Sequence, residues 1–247
     1  MEKPRIKVDA VSVKPVKNSK SRRRFLKMGG LAMAGSGLLL YGCSSDDDVN
    51  NPEPMPGEVF DLGSGDVGIL NYAYALEQLE AAFYTNVLDG SYWAGATAEE
   101  KLILEDLYDH EVIHREFFKA AINANAEASQ VLPELEFDFS SVNFADRDSV
   151  LATARVLEDT GVAAYNGAGR LLQTPDFLVI AGKIVSVEAR HAAAIRSIYL
   201  EHDTAFAGDD IIDSNGLDLA KDPQTILSEV GATGFVVTPF TANNLPQ

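Results

Sequence analysis

Asp109-His110-Glu111-Val112-Ile113-His114 admits two incompatible readings. As His110-Glu111-x-x-His114 it sets two imidazoles one helical turn apart around a glutamate, an arrangement that holds zinc and supplies a general base. As Glu111-x-x-His114 alone it is half of a dinuclear carboxylate site built inside a four-helix bundle. The zinc reading needs a third protein ligand and an open coordination position. The bundle reading needs a second Glu-x-x-His and two further carboxylates on neighbouring helices.

The rest of the chain reads as helix. Strand signals are sparse, and apolar residues recur at the helical period over four long segments. The first helix is expected to start at Asp66 as N-cap, after Gly63-Ser64-Gly65, and to end near Leu88 at Asp89-Gly90. Thr97-Ala98-Glu99-Glu100 has the form of a capping box, predicting a second helix that runs to about Asn125. A third starts near Asp146 and stops before Thr174-Pro175, where Thr174 as cap and Pro175 at the first helical position open a fourth that reaches about His202. Short loops join helices one and two and helices three and four, which makes each pair antiparallel. Between the pairs, residues 126–145 are long enough to cross the bundle from end to end. Beyond His202 the chain is less regular, with one short helix expected from Asp222-Pro223 to Val230.

The inward-facing stripes carry the functional signal. Helix one gives Leu70, Ala73, Glu77, Glu80, Tyr84 and Val87; helix two gives Leu104, Leu107, Glu111, His114, Phe118 and Ala121. Helix three gives Leu151, Ala154, Glu158, Gly161, Tyr165 and Ala168; helix four gives Ile184, Glu188, His191, Ile195 and Ile198. Each stripe is apolar except for acid near its middle. A lone ionised carboxylate in a core costs several kcal/mol even after relaxation, and four together repel one another. None of these stripes contains Lys or Arg, so bound metal is the compensating charge, two divalent cations neutralising four carboxylates.

The pattern repeats along the chain. Helices two and four carry Glu-x-x-His, as Glu111–His114 and Glu188–His191, and helices one and three carry Glu followed seven residues later by Tyr, as Glu77–Tyr84 and Glu158–Tyr165. The i, i+3 spacing places Glu and His on one helix face, where both reach the same metal pair. Carboxylate oxygens and neutral imidazoles suit iron or manganese, so the expected cofactors are two such ions. Tyr84 and Tyr165 are candidates for supporting the ligands or relaying a radical.

This constellation resembles the ferritin-like superfamily, which includes bacterioferritin and rubrerythrin. It is closer to the bacterial ferritin-like proteins related to plant desiccation proteins. The closer likeness rests on I-L-N-Y-A-Y-A-L-E-Q-L-E-A-A-F-Y (69–84), A-R-V-L-E-D-T-G-V-A-A-Y-N-G-A (154–168) and V-E-A-R-H-A-A-A-I (187–195). It covers about Leu62 to His202 and leaves the C-terminal tail unmatched. The resemblance implies an all-α ferritin-like four-helix bundle, two antiparallel pairs joined by one long crossover, with an irregular C-terminal extension. It implies Glu77, Glu111, His114, Glu158, Glu188 and His191 as metal ligands, with Glu77 and Glu158 terminal and Glu111 and Glu188 bridging. Glu80 departs from the pattern, because the superfamily places a small residue there, as Gly161 does in helix three. It is carried as an extra ligand, a replacement for Glu77 or a partner for His110.

The implied function is redox chemistry with dioxygen or peroxide at a dinuclear iron or manganese site, of oxidase or peroxidase type, in oxidative stress or metal handling. One alternative is a non-catalytic structural or stress-protection module. The other is a zinc metalloprotease, which leaves Glu77, Glu188 and His191 buried without a task, whereas the bundle reading employs every one.

Residues 1–42 read as export machinery. A basic stretch with Ser21-Arg22-Arg23-Arg24-Phe25-Leu26-Lys27 resembles the twin-arginine signal, and a short apolar run ends in Leu40-Tyr41-Gly42-Cys43, which resembles a lipobox with Cys43 as the lipidated residue. Residues 43–60, with Pro52, Pro54 and Pro56, form a tether; residues 61–203 form the bundle and 204–247 the extension. Cys43 is the only cysteine, so no disulfide framework and no cysteine-ligated metal is available to the domain. Residues 1–42 hold ten Lys/Arg against two Asp/Glu, so their removal takes the net charge from −17 to −25. Such a surface excludes nucleic acid as a partner. The expected partners are metal ions, a small oxidant and a membrane reached through the lipid anchor alone, at the periplasm or cell surface; a homodimer is left open.

Overall fold

The computed structural model describes residues 59–200, 202 and 204–247. The export signal, Cys43 and most of the tether lie outside the described residues. Four long helices form the domain: α1 (Gly65–Asp89), α2 (Ala98–Asn125), α3 (Arg147–Gly169) and α4 (Pro175–Leu200). A fifth, α5 (Pro223–Thr233), lies in the C-terminal extension. The closest packing is between α1 and α2 and between α3 and α4, and a single helical turn, Ser91–Gly95, fills the first loop. This is the expected all-α bundle of two hairpins and one crossover. Among the described residues no helix is long and apolar enough to cross a membrane.

The helix starts follow local chemistry. Thr97 accepts from the Glu100 N–H while the Glu100 side chain accepts from the Thr97 N–H, a complete capping box. Asp146 caps α3 by accepting from the Ser149 N–H, and Asp222 caps α5 through Thr225. The expectation for α1 is corrected. Ser64 occupies the N-cap position, and Asp66 instead accepts from the N–H groups of Gln173 and Thr174, 2.7 and 2.9 Å away. That carboxylate therefore ties the start of α1 to the loop before α4. No local pattern could reveal a partner more than a hundred residues distant.

α1 is buried on all sides from Gly68 to Ala81. One face meets α2, and the crossover covers another. Asn71 donates to the Leu62 and Gln130 carbonyls and accepts from the Leu132 N–H. Two turns on, Gln78 donates to the Pro133 carbonyl and accepts from the Leu135 N–H. Two buried amides thus satisfy the polar backbone of a segment that presses Leu132, Leu135 and Phe139 onto the helix. Each such fully buried apolar side chain contributes about 1.5–3 kcal/mol.

The extension is built in as well. β1 (Phe60–Asp61) pairs in parallel with β2 (Phe240–Thr241), Phe60 opposite Phe240. At α3, the Lys221 N–H donates to the Ala163 carbonyl, and a Cβ at Gly167 would lie 1.6 Å from the Lys221 carbonyl oxygen, so only glycine admits this crossing. Arg196 of α4, 1% exposed, donates to the Ala205 carbonyl, Asp159 and Asp210. It is a buried cation absent from the inward stripes, because it points away from the bundle centre toward the extension.

Candidate metal centre

Five carboxylates and two imidazoles from four different helices are buried at mid-bundle: Glu77, Glu80, Glu111, His114, Glu158, Glu188 and His191. The four bundle glutamates Glu77, Glu111, Glu158 and Glu188 are each 0% exposed. The helical period delivers them, since each sits where its apolar stripe crosses the centre of the bundle.

Their donor atoms fall into two groups. Glu77, Glu111, His114 and Glu188 each offer one atom within 4.8 Å of the others, and Glu111, Glu158, Glu188 and His191 do the same. Glu111 and Glu188 belong to both groups, and their two oxygens divide between them. His114 Nδ1 lies 3.4 Å from Glu111 Oε2 and 3.0 Å from Glu188 Oε1, with Glu77 Oε2 at 3.3 Å. His191 Nδ1 lies 2.7 Å from Glu111 Oε1 and 3.6 Å from Glu188 Oε2, with Glu158 Oε2 at 3.5 Å.

Although these separations are within ion-pair reach, none of the eight atoms has a hydrogen-bond partner. Short distances without directed N–H···O geometry are what lone pairs produce when they converge on a common point. Buried polar atoms are almost always paired, and eight orphans in one place form clusters that could hold metal ions. Four carboxylates carry the charge that two divalent ions neutralise. The donor set, carboxylate oxygens and imidazole nitrogens, fits iron or manganese.

The remaining oxygens of the two unshared glutamates are occupied. Tyr84 Oη of α1 donates to Glu158 Oε1 of α3 at 2.5 Å, and Tyr165 Oη of α3 donates to Glu77 Oε1 of α1. The pairs cross because α1 and α3 are antiparallel. Each tyrosine leaves Oε2 of its partner facing the centre. Both tyrosines are thus placed against ligand-type carboxylates of the facing helix, a pairing between helices that the Glu-x6-Tyr spacing within one helix does not reveal.

Glu80 falls in neither group of four. It is 3% exposed, its Oε2 is unpaired, and its Oε1 lies 3.0 Å from where a Cβ at Gly161 would stand. The two positions correspond, three residues beyond Glu77 and Glu158. The helix without a side chain leaves the space into which the other helix puts its extra carboxylate. His110 also stands outside both groups. Its Nδ1 lies 2.9 Å from Nε2 of His191, with the two rings nearly parallel at 13°. His110 and His114 therefore do not share a site, contrary to the zinc reading, and His110 instead engages the outer nitrogen of His191. The sequence marked His110 as a neighbour of the centre but carried no signal for this partner on another helix.

Protons take the cations' role when no metal is bound. Burial first, and then Glu188 and the other acids, hold Glu111 well above the usual carboxylate range. Burial and the surrounding glutamates do the same to Glu80, and burial raises Glu158. For Glu188 burial pulls upward, but His114 and His191 outweigh it and bring the carboxyl down to about 2. Burial alone would lower His191, yet Glu111 and Glu158 push it up to about 12, and Glu77, Glu111 and Glu188 raise His114 likewise. The centre therefore balances its charge with whatever cations it can obtain.

Comparison with known proteins agrees with this architecture. The ferritin-like domain model matches residues 65–201, more than half of the chain. That match spans α1 to α4 and leaves the extension unaccounted for. No curated protein matches the chain.

Proposed function

Because the chain belongs to the ferritin-like domain family, we propose that its core holds two iron or manganese ions and supports redox chemistry with dioxygen or peroxide. Glu77 and His114 would hold one ion and Glu158 and His191 the other, with Glu111 and Glu188 shared. The observation that carries this reading is the division of the two shared carboxylates, each turning one oxygen to His114 and the other to His191. A pair of ions so held supplies one-electron steps to a small oxidant.

The chain's own residues do the rest. Tyr84 and Tyr165 fix Glu158 and Glu77 in orientation. With Nε2 of His191 donating to Nδ1 of His110, 2.9 Å away, that ring would turn Nδ1 to the centre as its lone-pair nitrogen. The apolar layers on either side, with Leu104, Leu151 and Ile195 toward one end and Phe118, Ile122 and Ile184 toward the other, all buried, keep bulk water out. The domain is proposed to be exported by the twin-arginine route and held to a membrane by a lipid on Cys43, which the motifs in residues 21–43 support.

Elemental analysis of protein isolated from its native host, followed by anaerobic iron loading and exposure to oxygen and peroxide, tests the reading. Two ions per chain and an oxidant-dependent spectral change are expected. Two ions without any oxidant response would leave a structural ferritin-like module, and protein that takes up no metal would overturn the proposal.

A further inference from the structure

The apolar interior is not completely filled between the metal centre and the end of the bundle where α1 and α4 begin. There it holds a cavity of about 20 Å³, lined by side chains of all four long helices. The floor of the cavity is buried and adjoins the centre. Leu76 precedes Glu77 in the chain, Phe118 stands one turn after His114, and Tyr165 donates its hydroxyl to Glu77. The rim differs, because Phe117, Leu172, Phe177 and Ile180 are only partly buried. The lining therefore runs from the protein surface inward to the neighbours of the ligands.

Size and polarity together define what fits. A space of about 20 Å³ admits one molecule of roughly the size of water. What the lining presents is almost wholly carbon, and no charged side chain contributes to it. Tyr165 has committed its hydroxyl to Glu77. Burial, and then the charges of Asp222 and Glu229, raise the pKa of the Tyr72 hydroxyl, which places that group on the side of α1 that faces the extension. Water or peroxide would enter such a space without hydrogen bonds, and an apolar cavity of this kind stays dry. An apolar diatomic molecule gives up no hydrogen bonds on leaving water and gains close contacts on every side.

We propose that this cavity is a binding site for a single small apolar gas molecule, and that dioxygen is its occupant, held against Phe118 and Tyr165 beside the metal centre. No bond is made or broken there. The use of the bound molecule rests on the metal reading and narrows its oxidant from dioxygen or peroxide to dioxygen. Occupancy of the cavity requires no metal.

Xenon and dioxygen itself are the probes, applied to the metal-free full chain. Crystals pressurised with xenon are expected to show one xenon atom against Phe118 and Tyr165. Dissolved dioxygen, which is paramagnetic, is expected to broaden the methyl resonances of Ala73, Leu76 and Ala168 and to leave those of Leu104 and Ile195, at the opposite end, sharp. Ala73→Leu fills the cavity from α1 and Ala181→Phe fills it from α4. Each loses both signals, so a folding failure in one leaves the other decisive. After iron loading, the same variants react more slowly with dioxygen and at the parental rate with peroxide. A cavity left empty under xenon, equal broadening at both ends of the bundle, or a parental dioxygen rate in the filled variants overturns the proposal. A chain that takes up no metal fails the metal reading alone, because xenon occupancy and broadening are read without metal.

Discussion

Tyr84 Oη and Glu158 Oε1 meet at 2.5 Å across the bundle, and Tyr165 and Glu77 repeat the contact in the opposite direction. Each hydroxyl satisfies one oxygen of a fully buried carboxylate and so fixes where the other points. Tyr84→Phe and Tyr165→Phe each leave that oxygen orphaned. Metal affinity should fall by about ten- to a hundredfold in either variant, and the metal-free fold should lose about 1–3 kcal/mol. Competitive chelator titration and chemical denaturation measure the two effects; unchanged affinity in both variants would show the contacts to be incidental.

Stoichiometry separates shared from unshared ligands. Glu111→Ala and Glu188→Ala remove an oxygen from both groups of four, so each is expected to lose both ions. Glu77→Ala or Glu158→Ala touches one group and should lose one. Glu80→Gln, outside both groups, should keep two. Elemental analysis of folded variants decides the matter, and parental metal binding by both Glu111→Ala and Glu188→Ala would remove the dinuclear assignment altogether.

The metal-free protein should become less stable as pH rises. Glu80, Glu111 and Glu158 have folded values above their unfolded ones, so through that interval the fold retains protons the unfolded chain has released, and stability falls with pH. His191, at about 12, acts in the same sense, with its contribution complete below about 6.5 and lost as pH climbs toward 12. Glu188 acts oppositely, but only between about 2 and the ordinary carboxylate range. The melting temperature of metal-free protein is therefore expected to drop from about pH 5 to about pH 9. Bound metal should flatten that slope and, because it must displace protons, bind more tightly as pH rises. A flat metal-free profile contradicts this electrostatic account.

The four helices and their central acids were legible because both follow from spacing within single segments. Thr97 and Glu100, or Glu111 and His114, declare themselves three residues apart. Asp66 was misassigned for the complementary reason: its partners, Gln173 and Thr174, come close only after the bundle has formed. Arg196 was overlooked because a cation two turns beyond Glu188 reads as surface until Asp159 and Asp210 are folded around it. The role of Glu80 became readable only beside Gly161, where an absent side chain explains the position of one that is present.

Arg196→Met should uncouple the extension without dismantling the centre. The change strands the Ala205 carbonyl and the partly buried Asp159, while the exposed Asp210 is left to water, at a cost of about 1–3 kcal/mol. Amide exchange should accelerate in residues 205–221 while metal stoichiometry stays at the parental value. Loss of metal together with exchange throughout α3 and α4 would instead make Arg196 a keystone of the whole bundle.

The short parallel ladder between Phe60–Asp61 and Phe240–Thr241 bears on when this domain can be completed. Asp61 accepts from Gly63 nearby, and otherwise from Thr241, Asn243 and Asn244. A nascent polypeptide still lacking those last residues can wind its helices but cannot fasten the seam. Final closure thus waits until Phe240 to Asn244 are available, and a force applied to the chain ahead of Phe60 would reach that seam before it reached the helices.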